Sequence, residues 1–502
     1  MVRTVSGTFE SGFVVPEGEK WQVIGTAEAA RNVLVLGTLV MRPGSTLRFV
    51  GVDESAFVGE GMDPLDSDIG LWVMGNGQLD IEGTRKVAWN RSGADPSWGA
   101  TDELVITPTE PESLSCRAYQ AGDPVPQAYG DVPPAEVVNL SRDVSIEGTP
   151  GRRSHIFIRS TRPQTIKFAQ LRHLGPHKDG EVVEGRWPLH FHHAGDGSRG
   201  SRVEGVVVRD AGSHAFVPHA SHGIAFTSCV AYDVATDAFW WDQGEVTHDT
   251  SWDRCLVANL RAGPERSLKG FLMHPHGNGN QATNCVVAGS DDQGFGWPVG
   301  VPQSGVWRME GNVAHNCKRE GVRWWANQIG REKHGTTDFL AYNVGAMGLF
   351  QGAYKNSVRH VGPKLRGCEM EFHASGNTSD GGRRQGADNA DIDVVGRRDH
   401  ALVLSGSQKP SSEPTLFQGC SFRGSAVSAV GVRVNHVVRA WDFVGCTRDD
   451  GLDLEVSDFT IYADRRSIDQ QSWLIRVLRS DGSAFEFGPD GLVDTISAFA
   501  LV

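Results

Sequence analysis

One short apolar phrase recurs in the middle of the chain: CVAYD, CLVAN, VVAGS, NVAHN and YNVGA, with its valine at Val230, Val257, Val287, Val313 and Val344. Successive members lie 26 to 31 residues apart. Self-similarity at a period of about 20–50 residues means like units stacked on one another, each burying a face its neighbour supplies. Within each repeat the apolar runs are short and end at Gly, Asn or Asp, and helical periodicity is almost absent. The expected fold class is all-β, a parallel β-helix from about Ile146 to Glu455. A β-sandwich would repeat its strands without repeating their sequence.

Composition agrees with this and narrows function. Sixty-one glycines and 22% charged residues suit an ordered, turn-rich β protein. A net charge of -13 argues against nucleic acid or an anionic membrane surface as the main partner. No apolar run reaches the ~18 residues of a membrane span, and the opening MVRTVSGTFESG does not read as a signal peptide. The eight cysteines include no CxxC pair, and Cys229, Cys255 and Cys285 recur in similar surroundings. They are expected to be reduced and buried, neither a disulfide framework nor a zinc ribbon. The domains read as a glycine-patterned β domain at 1–106, a Pro-rich linker or loop at 107–134, the β-helix at 135–455 and a C-terminal β cap at 456–502.

The stretch GRWPLHFHHAGD, Gly185 to Asp196, crowds three histidines into four positions. On a strand alternate residues share a face. Leu189 and Phe191 should then enter the core, and His190 and His192 should project outward together; His193 has the inward parity or begins a turn. Paired outward imidazoles suit a divalent cation or a substrate carboxylate. The next coils add HAFVPHASHG, TDAFWWDQGEVTHDTSWD and FLMHPHGNGN. Residues one coil apart stack at roughly 4.8 Å, so His190, His192, His219 and Asp242 are expected to form a metal site. Imidazoles with a carboxylate favour a transition ion, whereas carboxylates and carbonyls would favour calcium. No organic cofactor is expected. The isolated His155, His173, His315 and His360 read as hydrogen-bonded structural groups.

The remaining expected site residues follow from glycan chemistry. Trp187 and Trp241 would stack on sugar rings, with His248 and His274 also binding substrate. Arg186 would pair with a sugar carboxylate or orient Asp196, because a guanidinium makes two parallel bonds to a carboxylate. Asp242 or Glu245 would carry the proton.

These same segments resemble a known family. GRWPLHFHHAGD is similar to the GRYPIHFHxxGD signature of the cell-surface and secreted hyaluronidases. NVLVLGTLVMRPGSTL and IGLWVMGNGQLDIEGTRKVAW resemble that family's eight-glycine domain, DELVITPT and AEVVNLSRDVSIEG its joining segment, and HPHGNGNQATNCVVAGSDDQGFGW its later coils. The likeness runs from about Asn32 to Arg323. It implies a right-handed parallel β-helix and cleavage of hyaluronan, with Arg186, His190, His192, Asp196 and His219 matching family positions. The chain departs at Gln243 (Asp in the family), at Asp237 (His in the family) and at HPHGNGN, which replaces NPNNN. The expected function is a glycoside hydrolase or polysaccharide lyase acting on an extended polysaccharide, extracellular or virion-associated. The alternative is a non-catalytic glycan-binding adhesin or phage tail component, which would need aromatics and donors but no paired carboxylates.

Overall fold

The structure, a computed structural model, describes residues 2–51, 53–59, 61–241, 245–263, 268–273, 277–297, 307–324, 335–352, 358–373, 384–405, 414–434, 440–463, 473–488 and 491–494. Two compact units divide the chain, residues 1–293 and 294–502.

In the first unit the polypeptide winds in coils of short strands, each strand pairing in parallel with its counterpart one coil on. Arg202–Glu204 pairs with Ala225–Thr227, then with Ser251–Asp253 and Gln281–Thr283. Val207–Ala211 pairs with Val230–Val234, then with Leu256–Leu260 and Val286–Ser290. One residue of each three-residue strand points inward. Ile166, Val203, Phe226, Trp252 and Ala282 therefore form a buried column by register. Phe216, Phe239 and Phe271 form another, with ring centroids 4.6 and 4.5 Å apart.

The corner between the two ladders repeats as well. Gly205, Ser228, Arg254 and Asn284 all have φ between 50° and 60°. The first three donate their N–H to a carbonyl of the next coil, at Thr227, Asp253 and Thr283. A left-handed residue turns the chain while keeping its amide on the ladder; for Ser228 and Arg254 this is a sparsely populated conformation. The residue after that corner is Cys229, Cys255 or Cys285, each fully buried. All eight cysteines are free thiols, and all but Cys116 are buried.

The repeat is thus real, but its sequence alignment slips by one residue. Val230 sits opposite Leu256, and it is Ala231, Val257 and Val287 that are in register. In the second unit Val313 faces Leu340, so Val344 is not a ladder residue. Parallel pairing also starts far earlier than Ile146. Val2–Phe9 pairs with Lys20–Ala29, which pairs with Thr38–Met41 and Ser45–Phe49; these lead on to Gln78–Glu82 and Val144–Glu147. The glycine-patterned domain is therefore coil from Val2 to Glu82. Its glycines serve close stacking: a Cβ on Gly37 would lie 2.2 Å from the Pro16 carbonyl oxygen, and one on Gly77 would lie 2.1 Å from that of Val35.

Residues 107–134, expected to be a linker or loop, run mostly without regular structure and contribute one short strand, Arg117–Ala118, to an antiparallel excursion. Leu104–Ile106 pairs with Arg117–Ala118 and Val137–Asn139, and the latter pairs with Trp89–Asn90. Leu104, Ile106, Tyr119, Ala135 and Val137 give it a small core of its own, joined by Trp98 and Val125.

The second unit repeats the parallel scheme. Its ladders include Val322–Trp324, Met347–Gln351, Glu369–His373, Leu402–Ser405, Val430–Val434 and Phe459–Ala463 in order. Leu474–Leu478 still pairs in parallel with Ala440–Val444, but then turns into an antiparallel meander with Ala484–Gly488 and Gly491–Asp494. This meander lies within 456–502, the region expected to cap the coils. No helix among the described residues is long and apolar enough to cross a membrane.

The phenylalanine column supplies a test of the packing. Phe239→Ala should cost about 3–5 kcal/mol, because it opens a cavity between two stacked rings, whereas Val14→Ala on the surface should cost under about 0.5 kcal/mol. Urea unfolding of the full chain measures both. Thiol titration should find seven slow cysteines in the native chain and eight fast ones after denaturation.

Candidate metal and substrate site

The strand Leu189–Gly195 begins with the expected alternation. Phe191 is buried and packs edge-on to Phe226 in the core. His190 and His192 take the opposite face, on which Phe157 is the partner of His190 in the preceding coil. His192 pairs directly with His219 in the next coil. The three rings converge. His190 Nε2 lies 3.2 Å from His192 Nδ1, which lies 3.2 Å from His219 Nδ1. The trio offers one nitrogen each, all within 4.8 Å of one another.

That geometry is hard to satisfy with hydrogen bonds alone. The Gly185 carbonyl can only accept, so at 2.8 Å it fixes the proton of His190 on Nδ1 and leaves Nε2 as a lone pair. The single in-plane site on His192 Nδ1 then faces two nitrogens at once. Ligand nitrogens about 2.0–2.1 Å from a tetrahedral zinc ion lie about 3.3–3.4 Å apart, close to both separations. A ligand histidine whose other nitrogen donates to a backbone carbonyl is also the usual arrangement around metals. Protonation points the same way. Burial, then His192 and His219, hold His190 well below the usual imidazole range. Burial, then His219 and His193, push His192 down to about 3. Both rings are neutral at physiological pH, the form that binds a cation. The donor type and spacing therefore fit a divalent transition ion.

His190 faces outward yet is fully buried, because a wall of loops covers it. Arg186 is 0% exposed and donates through Nε to Asp68 at 2.9 Å. Asp68 also accepts from the backbone N–H groups of Val58 and Gly59, so the pair ties the 57–70 loop to the loop before the histidine strand. The guanidinium lies over Trp72, 4.8 Å from its centroid. This corrects the expected role of Arg186: it touches neither solvent nor Asp196. Asp196 is itself exposed and bonded to Arg199, which also binds Asp249. Trp187 is 1% exposed, edge-on to His214 and Trp240 at 4.8 and 5.5 Å, and Trp241 is 1% exposed beside Trp252. Neither ring is open to a sugar: Trp187 walls the cluster, 6.3 Å from the His190 ring, and Trp241 lies against the core residue Trp252.

His155 is buried, edge-on to Phe57 and Trp72, but neither ring nitrogen has a hydrogen-bond partner among the described residues, so it is packed rather than hydrogen-bonded as expected. His248 lies on the open side, its ring 5.0 Å from that of His222. The His248 N–H donates to His222 Nδ1, and the Asn278 N–H donates to His248 Nδ1, so each ring keeps Nε2 for a ligand. Arg199, His222 and His248 thus form a partly exposed row beside the trio. Asp242 and His274 lie outside the described residues. Glu245 is half exposed, with Oε1 4.0 Å from His193 Nε2.

Strand parity misses His193. The register slips between His192 and Gly195, and His193 has φ 48°, so its ring turns out beside His219, centroids 4.7 Å apart. The adjacent Ala-Gly was the one available signal of a strand breaking its alternation. Asp68 had none, being 118 residues from its partner.

Residues 153–270 match the sequence model of a family described as CEMIP beta-helix. The human cell migration-inducing and hyaluronan-binding protein is 26% identical over 270 residues, 40% of this chain and 19% of that protein. Its mouse counterpart is 25% identical over 149 residues, 23% of this chain and 11% of that one. The chain thus spans at most about a fifth of the length of these relatives. Among solved structures, the tailspike of Pseudomonas phage phi297 aligns with 90% of this chain and 75% of its own, at TM-score 0.26 and 10% identity. The tailspike of Acinetobacter baumannii bacteriophage AP22, in complex with capsular saccharide, aligns with 91% and 74%, at TM-score 0.27 and 9% identity.

The buried ion pair gives a test separate from activity. Asp68→Asn should destabilise the chain by about 3–5 kcal/mol, since it strands a buried guanidinium. The double change Arg186→Met with Asp68→Leu should recover much of that in thermal unfolding. A loss confined to substrate KM, with unchanged stability, would return Arg186 to the substrate.

Proposed function

We propose that the chain is a divalent-metal-dependent enzyme that cleaves an extended acidic polysaccharide of the hyaluronan type. His190, His192 and His219 would hold the cation, with Asp242 as the fourth ligand and the carrier of the proton. The observation that carries this reading is the convergence of the three imidazoles, with His192 Nδ1 3.2 Å from both His190 Nε2 and His219 Nδ1. The family match encloses every one of these residues, and the human relative is by name hyaluronan-binding.

A cation bound there would supply Lewis-acid polarisation of a sugar oxygen and offset the charge of a sugar carboxylate. The protein supplies the rest. Gly185 orients His190, and Trp187 with the Arg186–Asp68 loops excludes water from behind the cluster. Arg199, His222 and His248 sit on successive coils, spaced to meet the hydroxyls and carboxylates of a polymer lying along the coil axis. Such a substrate places the protein outside cells or on a virion.

Size analysis of hyaluronan and other acidic glycans, with and without chelator, tests this. Cleavage should stop on chelation and return with added cation. The His190→Ala/His192→Ala double variant should lose the cation held by the trio and, with it, cleavage. Asp242→Asn, nearly isosteric, should abolish turnover and leave unfolding unchanged. Full activity in all three cases would overturn the proposal, and binding without any cleavage would favour a glycan-binding adhesin.

A further inference from the structure

We infer that a second, solvent-facing divalent-cation site adjoins the first, formed by His193, His219 and Glu245 and sharing the His219 imidazole. The inference rests on reading the inner trio as a metal site. Its own support is separate. One atom from each of these three residues lies within 4.8 Å of the others. The rings of His193 and His219 meet nearly at right angles, 81°. His193 Nε2 and Glu245 Oε1 are 4.0 Å apart, beyond hydrogen-bond range. Ligand atoms about 2.0–2.2 Å from a tetrahedral zinc ion lie about 3.3–3.6 Å apart, so the exposed Glu245 side chain need close by only about half an ångström for the pair to share a cation.

The backbone supplies a second argument. Alternation alone would send His193 into the core. It points outward because the residue takes φ 48° and the strand slips register there. The left-handed residue is a corner of the coil, matched by Ala220 at φ 43° one coil on, and at His193 its effect is to set a third imidazole against His219. Glu245 comes from the following coil, and its side chain is 50% exposed against 33% for His193. Two imidazoles and one carboxylate, open on the solvent side, make the donor set of a site that keeps exchangeable positions. The ligand class is a transition ion, and its exchangeable partner would be water or a sugar carboxylate.

His219 joins the two. Its Nδ1 faces the inner trio, 3.2 Å from His192 Nδ1, so Nε2 is the nitrogen left for the outer ion. A ring ligating through both nitrogens is an imidazolate. Filling the second site therefore releases the remaining ring proton to solvent. Glu245 then acts as a ligand, and proton transfer stays with Asp242.

The test counts metal in the full chain, stripped and then dialysed against Zn2+. Wild type should hold two equivalents. Glu245→Gln and His193→Asn should each hold one; both are surface changes, and Asn tolerates the left-handed backbone. His190→Ala should hold one, the outer ion, and His219→Ala should lose or weaken both. Filling the second site should release one more proton in wild type than in Glu245→Gln, read by calorimetry in two buffers. One equivalent in wild type, unchanged by Glu245→Gln and His193→Asn but lost in His190→Ala, overturns the outer site and leaves the inner one. One equivalent lost in Glu245→Gln but kept in His190→Ala overturns the inner site instead. Two equivalents unaffected by either surface change would place the second ion elsewhere and also overturn the inference.

Discussion

Each coil satisfies its backbone by giving its N–H and C=O groups to the coils before and after it, and everything else in the molecule depends on that exchange. It holds only if the chain turns its corners without removing an amide from the ladder. Gly205, Ser228 and Arg254 meet this demand by adopting a left-handed conformation and donating to the next coil. The cost at Ser228 and Arg254 is offset by burial just beyond, where Cys229 and Cys255 enter a close-packed column. Glycines such as Gly37 and Gly77 obey the same constraint elsewhere, since the neighbouring coil leaves no room for a Cβ.

This lattice places chemistry in register. His192 and His219 are 27 residues apart yet adjacent, because parallel pairing brings equal positions of successive coils together. A functional row can therefore be built one residue per coil, as His222 and His248 also show. The same regularity makes a departure informative. The slip at His193 breaks the alternation at the one point where another imidazole is brought to His219.

Rigid strands alone would leave these imidazoles in water. The Arg186–Asp68 pair seats two loops over them, and Trp187 fills the space behind. The resulting low-dielectric surroundings keep His190 and His192 neutral. Of the residues expected to touch substrate, Arg186 and Trp187 are instead buried beside the cluster, and His248 lies in a partly exposed polar row with Arg199 and His222.

The repeat period, the parallel β-helix, the buried thiols and the convergence of His190, His192 and His219 were legible from sequence. They depend on periodicity and parity, which are local properties of a strand. The roles of Arg186, Trp187 and Trp241, the early start of the coils and the antiparallel excursion at 89–139 were not. Each depends on which distant segment packs against it: Asp68 for Arg186, Trp240 for Trp187, and Leu104 with Val137 for the Pro-rich stretch. Sequence by itself determined which residue types lie on one face of each coil, because side-chain alternation has a period of two. Only the tertiary structure decided which of those faces are open to water, because exposure is set by the loops that cover them, and nothing in a strand's own alternation encodes its cover.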